Sequence, residues 1–304
     1  MQRVRCLGGL KLAVHFFGGS GDPLIVCPAN GFPVCSYLPL VAHLKESFTC
    51  YGIDLRGYGD SPSGVGPDSL YFGSDVACVV KALGLQGALA FGHSVGGAAL
   101  LLAQIVQPGT FSRIVCYEPI LYDRATVEAS GDDSLVKRGS RILAAGAKRR
   151  RRAFSSRKEA GIKYSARPPF DRFAPAALES YLTHGFRDVP GGIELKCDPV
   201  NESEAYLKSI DVMPILWPGC CGIQCPVAML AGSDISDQNS TEFIAHYIED
   251  TLTLFQKARF ERLEGLHHLG PFEDPQRVAT AIAAHLQDMS RFTSLKSVKQ
   301  QSKL

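Results

Sequence analysis

The chain has 304 residues, enough for one wide α/β sheet to absorb most of its length, although two domains are also compatible with it. Hydrophobic residues make up 45% and charged residues 20%, which is ordinary for a globular enzyme and argues against extensive disorder. The net charge of +2 gives no global attraction to nucleic acid. No apolar run approaches the roughly 18 residues of a spanning helix. We therefore expect no nucleic-acid partner and no integral membrane association.

The ten cysteines show no paired framework, and the first residues lack an apolar stretch of secretory length. This pattern predicts a reducing intracellular compartment. Cys220, Cys221 and Cys225 form the tightest group, but no second ligand pair at zinc spacing accompanies them. We expect neither a metal site nor a cofactor.

Apolar runs bounded by Gly, Pro and Asp alternate with stretches of helical spacing, which is typical of a mostly parallel sheet flanked by helices. In chain order the pattern predicts strands near residues 2–7, 11–17, 24–27, 48–54, 87–94 and 113–117, with helices near 37–46 and 70–83 and after the fifth strand.

The alternation stops for about a hundred residues and then resumes with strands near 227–234 and 258–263 and a helix near 274–289. The intervening stretch is helical in pattern, basic and punctuated by prolines, so an inserted cap fits it better than a second independent domain. We predict a core of residues 1–121 and 223–290, a helical cap of residues 122–222, and a flexible tail of residues 291–304.

The segment GHSVG, residues 92–96, matches the G-x-S-x-G elbow, in which a cramped strand-to-helix turn exposes a strained serine. It follows the predicted central strand and precedes the apolar stretch VGGAALLLAQIV, which predicts a buried helix. Glycines flank the serine because side chains there would collide with the neighbouring strand and helix. The pattern predicts Ser94 as a nucleophile, the alternative being a spectator serine in a glycine-rich turn.

A serine hydroxyl needs a neighbouring base to remove its proton, and two histidines follow the last predicted strand. The segment GLHHLGPFEDP resembles the final catalytic loop of the α/β-hydrolase superfamily, in which the histidine is followed by Pro at +3, Glu at +5 and Pro at +7. Pro271, Glu273 and Pro275 assign that role to His268. His267 is then a structural or pocket-lining neighbour.

The acid that orients the histidine lies, in the chain order of this superfamily, after the strand that follows the cap. Asp234 in AGSDISD occupies that place. The family often spaces this Gly and Asp one residue further apart, so Asp237 is a rival and Glu118 a more remote alternative.

The segment NGFP, residues 30–33, resembles the superfamily's H-G-x-P turn, which implies backbone oxyanion donors at Phe32 and at Val95. Asn30 replaces the usual histidine. Because the donor is a backbone group, we expect the oxyanion hole to persist with a different support.

The segment DLRGYGDS, residues 54–61, resembles the superfamily's D-x-R-G-x-G-x-S motif, and we expect Asp54 and Arg56 to be structural. The four motifs cover roughly residues 24–119 and 226–289. The resemblance implies an α/β-hydrolase fold of about eight mostly parallel strands.

The same resemblance implies a serine hydrolase of the esterase, lipase or thioesterase type that needs no cofactor. Its expected partner is a small-molecule ester or thioester. The candidate classes are lipid-like compounds, compounds of the acyl-CoA type and secondary-metabolite esters. A serine at the elbow disfavours epoxide hydrolase and haloalkane dehalogenase chemistry, whose related enzymes use an aspartate there. The alternatives are a carbon–carbon bond hydrolase with the same triad and a non-catalytic binding module.

The basic run KRRRR, residues 148–152, is followed by further cations at Arg157, Lys158 and Lys163. It predicts either a solvated helix face or recognition of an anion such as the phosphates of coenzyme A, with a nuclear signal as a third possibility. Aromatic residues within 166–182 and Trp217 are expected mainly to pack the cap on the core, with a few lining a pocket.

Ser302, Lys303 and Leu304 form the tripeptide that import receptors recognise as a peroxisomal address. We therefore expect a peroxisomal import receptor as a partner, the alternative location being the cytosol.

Overall fold

An eight-stranded sheet forms the centre of the computed structural model, in the order β1-β2-β4-β3-β5-β6-β10-β11. β1 pairs antiparallel with β2 and β2 antiparallel with β4, whereas every other neighbouring pair is parallel. The predicted α/β-hydrolase fold with a mostly parallel sheet is thereby confirmed. Its strands are β1 (Gln2–Arg5), β2 (Lys11–Gly18), β3 (Asp22–Cys27), β4 (Phe48–Ile53), β5 (Ala88–His93), β6 (Phe111–Tyr117), β10 (Val227–Gly232) and β11 (Ala258–Leu263).

Helices cover both faces of this sheet, as expected where the central strands β3, β5 and β10 are buried along nearly their whole length. Side chains alternate along each strand, so Ile25 and Cys27 of β3 face one layer while Leu24 and Val26 face the other. The first layer contains α2 (Ser69–Ala82) and α3 (Val95–Val106), and the second contains α1 (Leu38–Leu44), α10 (Gly270–Glu273) and α11 (Pro275–Gln287).

Between β6 and β10 the chain forms six helices and a separate three-stranded antiparallel sheet of order β7-β9-β8 among its described residues. The small sheet was not part of the expected helical cap. Its strands are only two to four residues long, which is too short for the apolar alternation that marks a strand in sequence. The elements are α4 (Arg124–Glu128), α5 (Leu135–Lys148), β7 (Ala153–Phe154), α6 (Arg157–Ser165), α7 (Pro175–His184), β8 (Phe186–Val189), β9 (Gly192–Leu195), α8 (Pro199–Leu207) and α9 (Met213–Cys220).

Aromatic rings join this cap segment to the core. Phe173 stacks on Phe272 with ring centroids 4.8 Å apart and an interplanar angle of 4°, and Phe272 also stacks on Phe32 at 4.7 Å. The Ala174 N–H donates to the Phe272 carbonyl at 2.9 Å. Trp217 packs on the cap side, where its indole N–H donates to the Tyr122 carbonyl at 2.8 Å. These contacts seat the cap over the end of the sheet from which the candidate site opens.

The structure describes residues 1–63, 69–128, 134–233 and 248–288. Ser302, Lys303 and Leu304 lie outside these ranges, as does the rest of the predicted tail from residue 291. Within the described ranges, none of the helices has both the length and the apolar composition needed to cross a bilayer.

Candidate active site

Ser94 sits at the tight turn between β5 and α3, with φ 55° and ψ −118°. A Cβ at Gly92 would lie 2.6 Å from the Gly97 backbone nitrogen, and one at Gly96 would lie 2.4 Å from the Cys27 carbonyl oxygen. Any larger residue at either position would therefore force the strand and helix apart. The turn holds the serine at the carboxyl end of the central strand, where its side chain opens into a cavity.

His268 lies in the loop after β11 and its imidazole is bound to a buried carboxylate. Its Nδ1 is 2.7 Å from Glu118 Oε2, and Glu118 is fully buried directly after β6. The second carboxylate oxygen of Glu118 accepts the Gly232 N–H at 2.8 Å. Because a carboxylate only accepts, Nδ1 carries the proton and Nε2 is left as the basic nitrogen.

The predicted acid Asp234 and its rival Asp237 both lie outside the described residues. Glu118, the more remote alternative, occupies the place of an orienting acid at His268 Nδ1, and the roles predicted for Asp234 and Asp237 stay predictions. The sequence could not decide this because β6 and β10 are neighbouring parallel strands whose carboxyl ends meet. The available signal was a glutamate and a proline directly after a buried strand, in CYEP.

Ser94 and His268 both line one cavity of about 720 Å³. His268 is anchored beside the elbow, since its carbonyl accepts the His93 ring N–H at 2.8 Å. Among the described residues, the structure shows no hydrogen bond between the Ser94 hydroxyl and His268. Such contacts are often long in free enzymes and shorten when substrate binds.

The two predicted oxyanion donors differ in whether their backbone N–H already has an acceptor. Val95 is the first residue of α3, so its N–H has no acceptor within the helix. The Phe32 N–H donates to the Ala29 carbonyl at 3.2 Å, and it would have to share or exchange this long turn bond to serve an oxyanion.

Asn30 stands where the resemblance expects a histidine, and its side chain holds the predicted oxyanion turn of residues 30–33 in place. Its Oδ1 accepts the Tyr58 hydroxyl, and its Nδ2 donates to the Glu202 carbonyl at 3.0 Å. The side-chain amide thus connects the turn to the core on one side and to α8 of the cap on the other. Gly31 has φ 81°, and a Cβ there would lie 2.7 Å from the Glu202 carboxyl carbon.

A chain of buried hydrogen bonds connects the three loops of the site through His93. The Ala29 N–H donates to the Tyr37 hydroxyl at 2.9 Å, Tyr37 lies 2.7 Å from His93 Nδ1, and His93 Nε2 lies 2.8 Å from the His268 carbonyl. Burial, together with the nearby His268, lowers the pKa of His93 well below 6.5. A neutral ring therefore accepts from Tyr37 and donates to His268.

His267 takes the role of a supporting neighbour. Its backbone N–H and ring Nδ1 lie 3.0 and 3.2 Å from Glu273 Oε2, and its carbonyl accepts the Tyr117 hydroxyl at 2.7 Å. These contacts shape the loop that presents His268.

Cap residues form the roof of the cavity, mostly from the end of α5, from α6 and from the turn after α6. Arg150 lies among them, bound to Glu202 and Tyr181 and 3.3 Å from the Tyr164 hydroxyl. Phe170 also lines the cavity, whereas Phe173 belongs to the aromatic contact with the core. The volume is that of a small-molecule site.

One group of three potential metal ligands occurs among the described residues, namely His15, Asp54 and Asp60. Asp54 accepts the Val34 N–H at 2.7 Å and the Asp60 N–H at 2.9 Å and pairs with His15 at 2.9 Å, while Asp60 binds Lys196 at 2.8 Å. These hydrogen bonds hold together the turn after β4, a structural use of the carboxylates.

Arg56 of the same motif binds Asp75 through two hydrogen bonds of 2.7 and 2.8 Å, both side chains being buried. The geometry is that of a fixed structural pair. Neither residue lines the cavity that contains Ser94.

Two characterised proteins share local sequence similarity with the chain. A bifunctional esterase/perhydrolase of Acinetobacter calcoaceticus is 37% identical over 83 residues, which are 26% of this chain and 30% of that protein. An N-formylmaleamate deformylase of Pseudomonas putida is 31% identical over 115 residues, which are 36% of this chain and 42% of that protein. The matches thus span less than half the length of each relative.

Similarity of fold extends over nearly the whole chain. The crystal structure of E-2-(acetamidomethylene)succinate hydrolase superposes with a TM-score of 0.78 at 19% identity, covering 94% of this chain and 98% of that one. The sequence matches the Alpha/beta hydrolase family over residues 20–281. With the eight-stranded sheet and the strained elbow in place, we conclude that the chain belongs to the α/β-hydrolase family.

Proposed function

We propose that the protein is a serine hydrolase that transfers an acyl group from an ester or thioester to water through Ser94, His268 and Glu118. The observation that carries the proposal is the arrangement at the end of the sheet. A serine held at positive φ opens into the same cavity as a histidine whose Nδ1 is bound by a buried carboxylate.

In this mechanism Ser94 attacks the carbonyl carbon while His268 Nε2 takes the hydroxyl proton. Glu118 keeps the imidazole in the tautomer that leaves Nε2 basic and stabilises the imidazolium that forms. The backbone N–H groups of Val95 and Phe32 stabilise the oxyanion. His268 then donates its proton to the leaving alcohol or thiol. In the second half of the reaction His268 takes a proton from water, the oxygen of this water attacks the acyl carbon, and the bond to the Ser94 oxygen breaks as His268 returns the proton to it.

The relatives support a hydrolase of small acyl compounds. One is named an esterase and the other a deformylase, so acyl groups on oxygen and on nitrogen both occur among them. Hydrolysis of a carbon–carbon bond remains the alternative chemistry for the same three side chains. Peroxisomal import remains a prediction from the sequence.

Covalent labelling by a fluorophosphonate tests the proposal. The phosphonate reacts with an activated serine hydroxyl, so we expect one adduct per chain, mapped to Ser94 by mass spectrometry and absent in Ser94→Ala. Ser36, which is also buried, provides the matched control, because Ser36→Ala should label like the parent protein. An unlabelled parent protein that is folded by circular dichroism would instead identify a non-catalytic binding module.

A further inference from the structure

The roof of the cavity is strongly cationic. Six cationic side chains line it, against two carboxylates, Glu202 and Glu273. Both carboxylates are already engaged, Glu202 by Arg150 and Glu273 by His267. The cations are Arg149, Arg150, Arg151, Lys163, Arg167 and Arg172.

Acidic partners within the cap account for part of the basic sequence run. Arg151 binds Glu159 at 2.6 Å, and Arg152 lies 3.0 Å from Asp198. Arg157 similarly pairs with Asp188. These arginines hold cap elements together, and their charges are neutralised locally.

Three of the lining cations differ from these. Among the residues that the structure describes, Arg149, Lys163 and Arg167 have no acidic partner. Arg149 directly follows α5, Lys163 lies in the last turn of α6, and Arg167 follows α6 by two residues. Two helix ends thus bring their positive charges to the cavity that Ser94 also lines, and we call these three side chains the cationic rim.

We propose that Arg149, Lys163 and Arg167 bind an anionic group of the substrate, so that the enzyme prefers acyl compounds carrying a carboxylate or phosphate away from the scissile bond. The inference rests on the proposed function for its catalytic consequence, but the binding itself does not require turnover. Guanidinium groups bind carboxylates and phosphates through paired charge-assisted hydrogen bonds. Arg149 and Arg167 are exposed and Lys163 is half-buried, so these cations lie where the cavity meets solvent, and salt weakens their attraction for an anion.

Arg150 fixes the position of the backbone next to Arg149. Its side chain is largely buried and is tied to Glu202 and Tyr181, so it positions the chain immediately after Arg149. Glu202 in turn connects to the oxyanion turn through the hydrogen bond between its carbonyl and Asn30. An anion on the rim is therefore held in a defined position relative to the reacting carbonyl.

Two substrate pairs distinguish the two places that the anion can occupy. Monoethyl adipate against methyl ethyl adipate tests a carboxylate on the acyl side. Butyryl-coenzyme A against butyryl-N-acetylcysteamine tests phosphates on the leaving group. We expect kcat/KM to be about tenfold higher for the charged member of at least one pair, a difference of about 1.4 kcal/mol.

The variant Arg149→Gln/Arg167→Gln should remove this preference, so that the ratio of kcat/KM between the charged and the neutral member of the pair falls from about ten to about one. The matched control Arg152→Gln/Arg187→Gln removes the same charge from cap residues that do not line the cavity. It should retain the preference. Equal rates for both members of each pair in the parent protein, or equal losses in variant and control, would overturn the proposal.

A binding measurement separates this inference from the proposed chemistry. Calorimetric titration of adipate and of coenzyme A into Ser94→Ala should show binding of at least one, weakened about tenfold by adding Arg149→Gln/Arg167→Gln. Binding without any fluorophosphonate adduct on the parent protein would sustain the anion site and refute the hydrolase. Absence of binding by both anions refutes the site, whatever the esterase activity. A variant that lowers only the melting temperature would show that these cations merely stabilise helix ends.

Discussion

Backbone strain is concentrated at two residues of the candidate site. Among the described non-glycine residues, only Ser94 and Glu118 have positive φ, at 55° and 40°. Each is held there by the sheet, since the Ser94 N–H donates to the Tyr117 carbonyl at 3.0 Å and the Glu118 N–H to the Leu230 carbonyl at 2.8 Å. Strained residues that the surrounding structure fixes are a recurring feature of functional sites. Here the two strained residues are the serine that opens into the cavity and the glutamate that binds His268.

Replacement of Glu118 tests its role as the orienting acid. In Glu118→Gln the amide can donate to Nδ1, which favours the wrong histidine tautomer, so we expect kcat to fall by roughly 10³- to 10⁴-fold with little change in KM. Steady-state kinetics on a simple ester measures this effect.

Glu273→Gln is the matched control, because Glu273 is also a glutamate with little exposed side chain that is bound to a histidine, but to His267. Asp234→Asn and Asp237→Asn should retain most activity. Full activity in Glu118→Gln together with its loss in either aspartate variant would place the acid in the segment after β10.

Three elements converge on the site at the carboxyl edge of the sheet. β5 ends in His93, the turn after β3 contains Ala29, and the loop after β11 contains His268. The hydrogen bonds from Ala29 through Tyr37 and His93 to the His268 carbonyl hold these three loops at fixed separations. The neutral ring of His93 is required at the centre, because protonated Nδ1 could not accept from Tyr37.

This connection makes stability depend on pH. Burial and the neighbouring His268 lower the pKa of His93 in the folded state well below 6.5, whereas the unfolded chain binds a proton near 6.5. The stability that the neutral ring contributes is therefore present above pH 6.5 and is lost as the pH falls below it.

Urea denaturation of the parent protein and of His93→Gln at pH 7.5 and 5.5 measures this contribution. The difference in unfolding free energy between the two proteins should shrink at the lower pH, because only the parent protein holds the neutral ring of His93 against protonation. His43→Gln, on the exposed side of α1, is the matched control. This variant leaves His93 and its hydrogen bonds intact, so its unfolding free energy should keep the pH dependence that His93 gives the parent protein. A His93→Gln difference that stays constant with pH would contradict a neutral buried ring.

At the scale of the whole molecule, sequence patterns predicted the order of the core elements because short apolar runs bounded by Gly, Pro and Asp alternate with longer stretches of helical spacing. The strand predicted at 258–263 matches β11, and the helix predicted near 70–83 differs from α2 by one residue at each end. The glycines of GHSVG predicted the elbow because only close backbone approach requires them.

The remaining features depend on tertiary contacts that a linear pattern does not contain. Because β6 and β10 are adjacent parallel strands, a carboxylate after either one ends near His268, and only the folded arrangement shows which one binds it. Which arginines of residues 148–152 are paired is decided by the folding of the cap, where Glu159 and Asp198 come from different elements. The short strands of the cap carry too few apolar residues to be recognised.

The account as a whole depends on Ser94 and His268 acting as one unit, and a double-mutant cycle on kcat tests this most directly. Groups that act together are non-additive, so Ser94→Ala, His268→Ala and the double variant should all fall to the same residual rate. Full or nearly full activity in His268→Ala, or a double variant whose loss equals the product of the two single losses, would contradict the account.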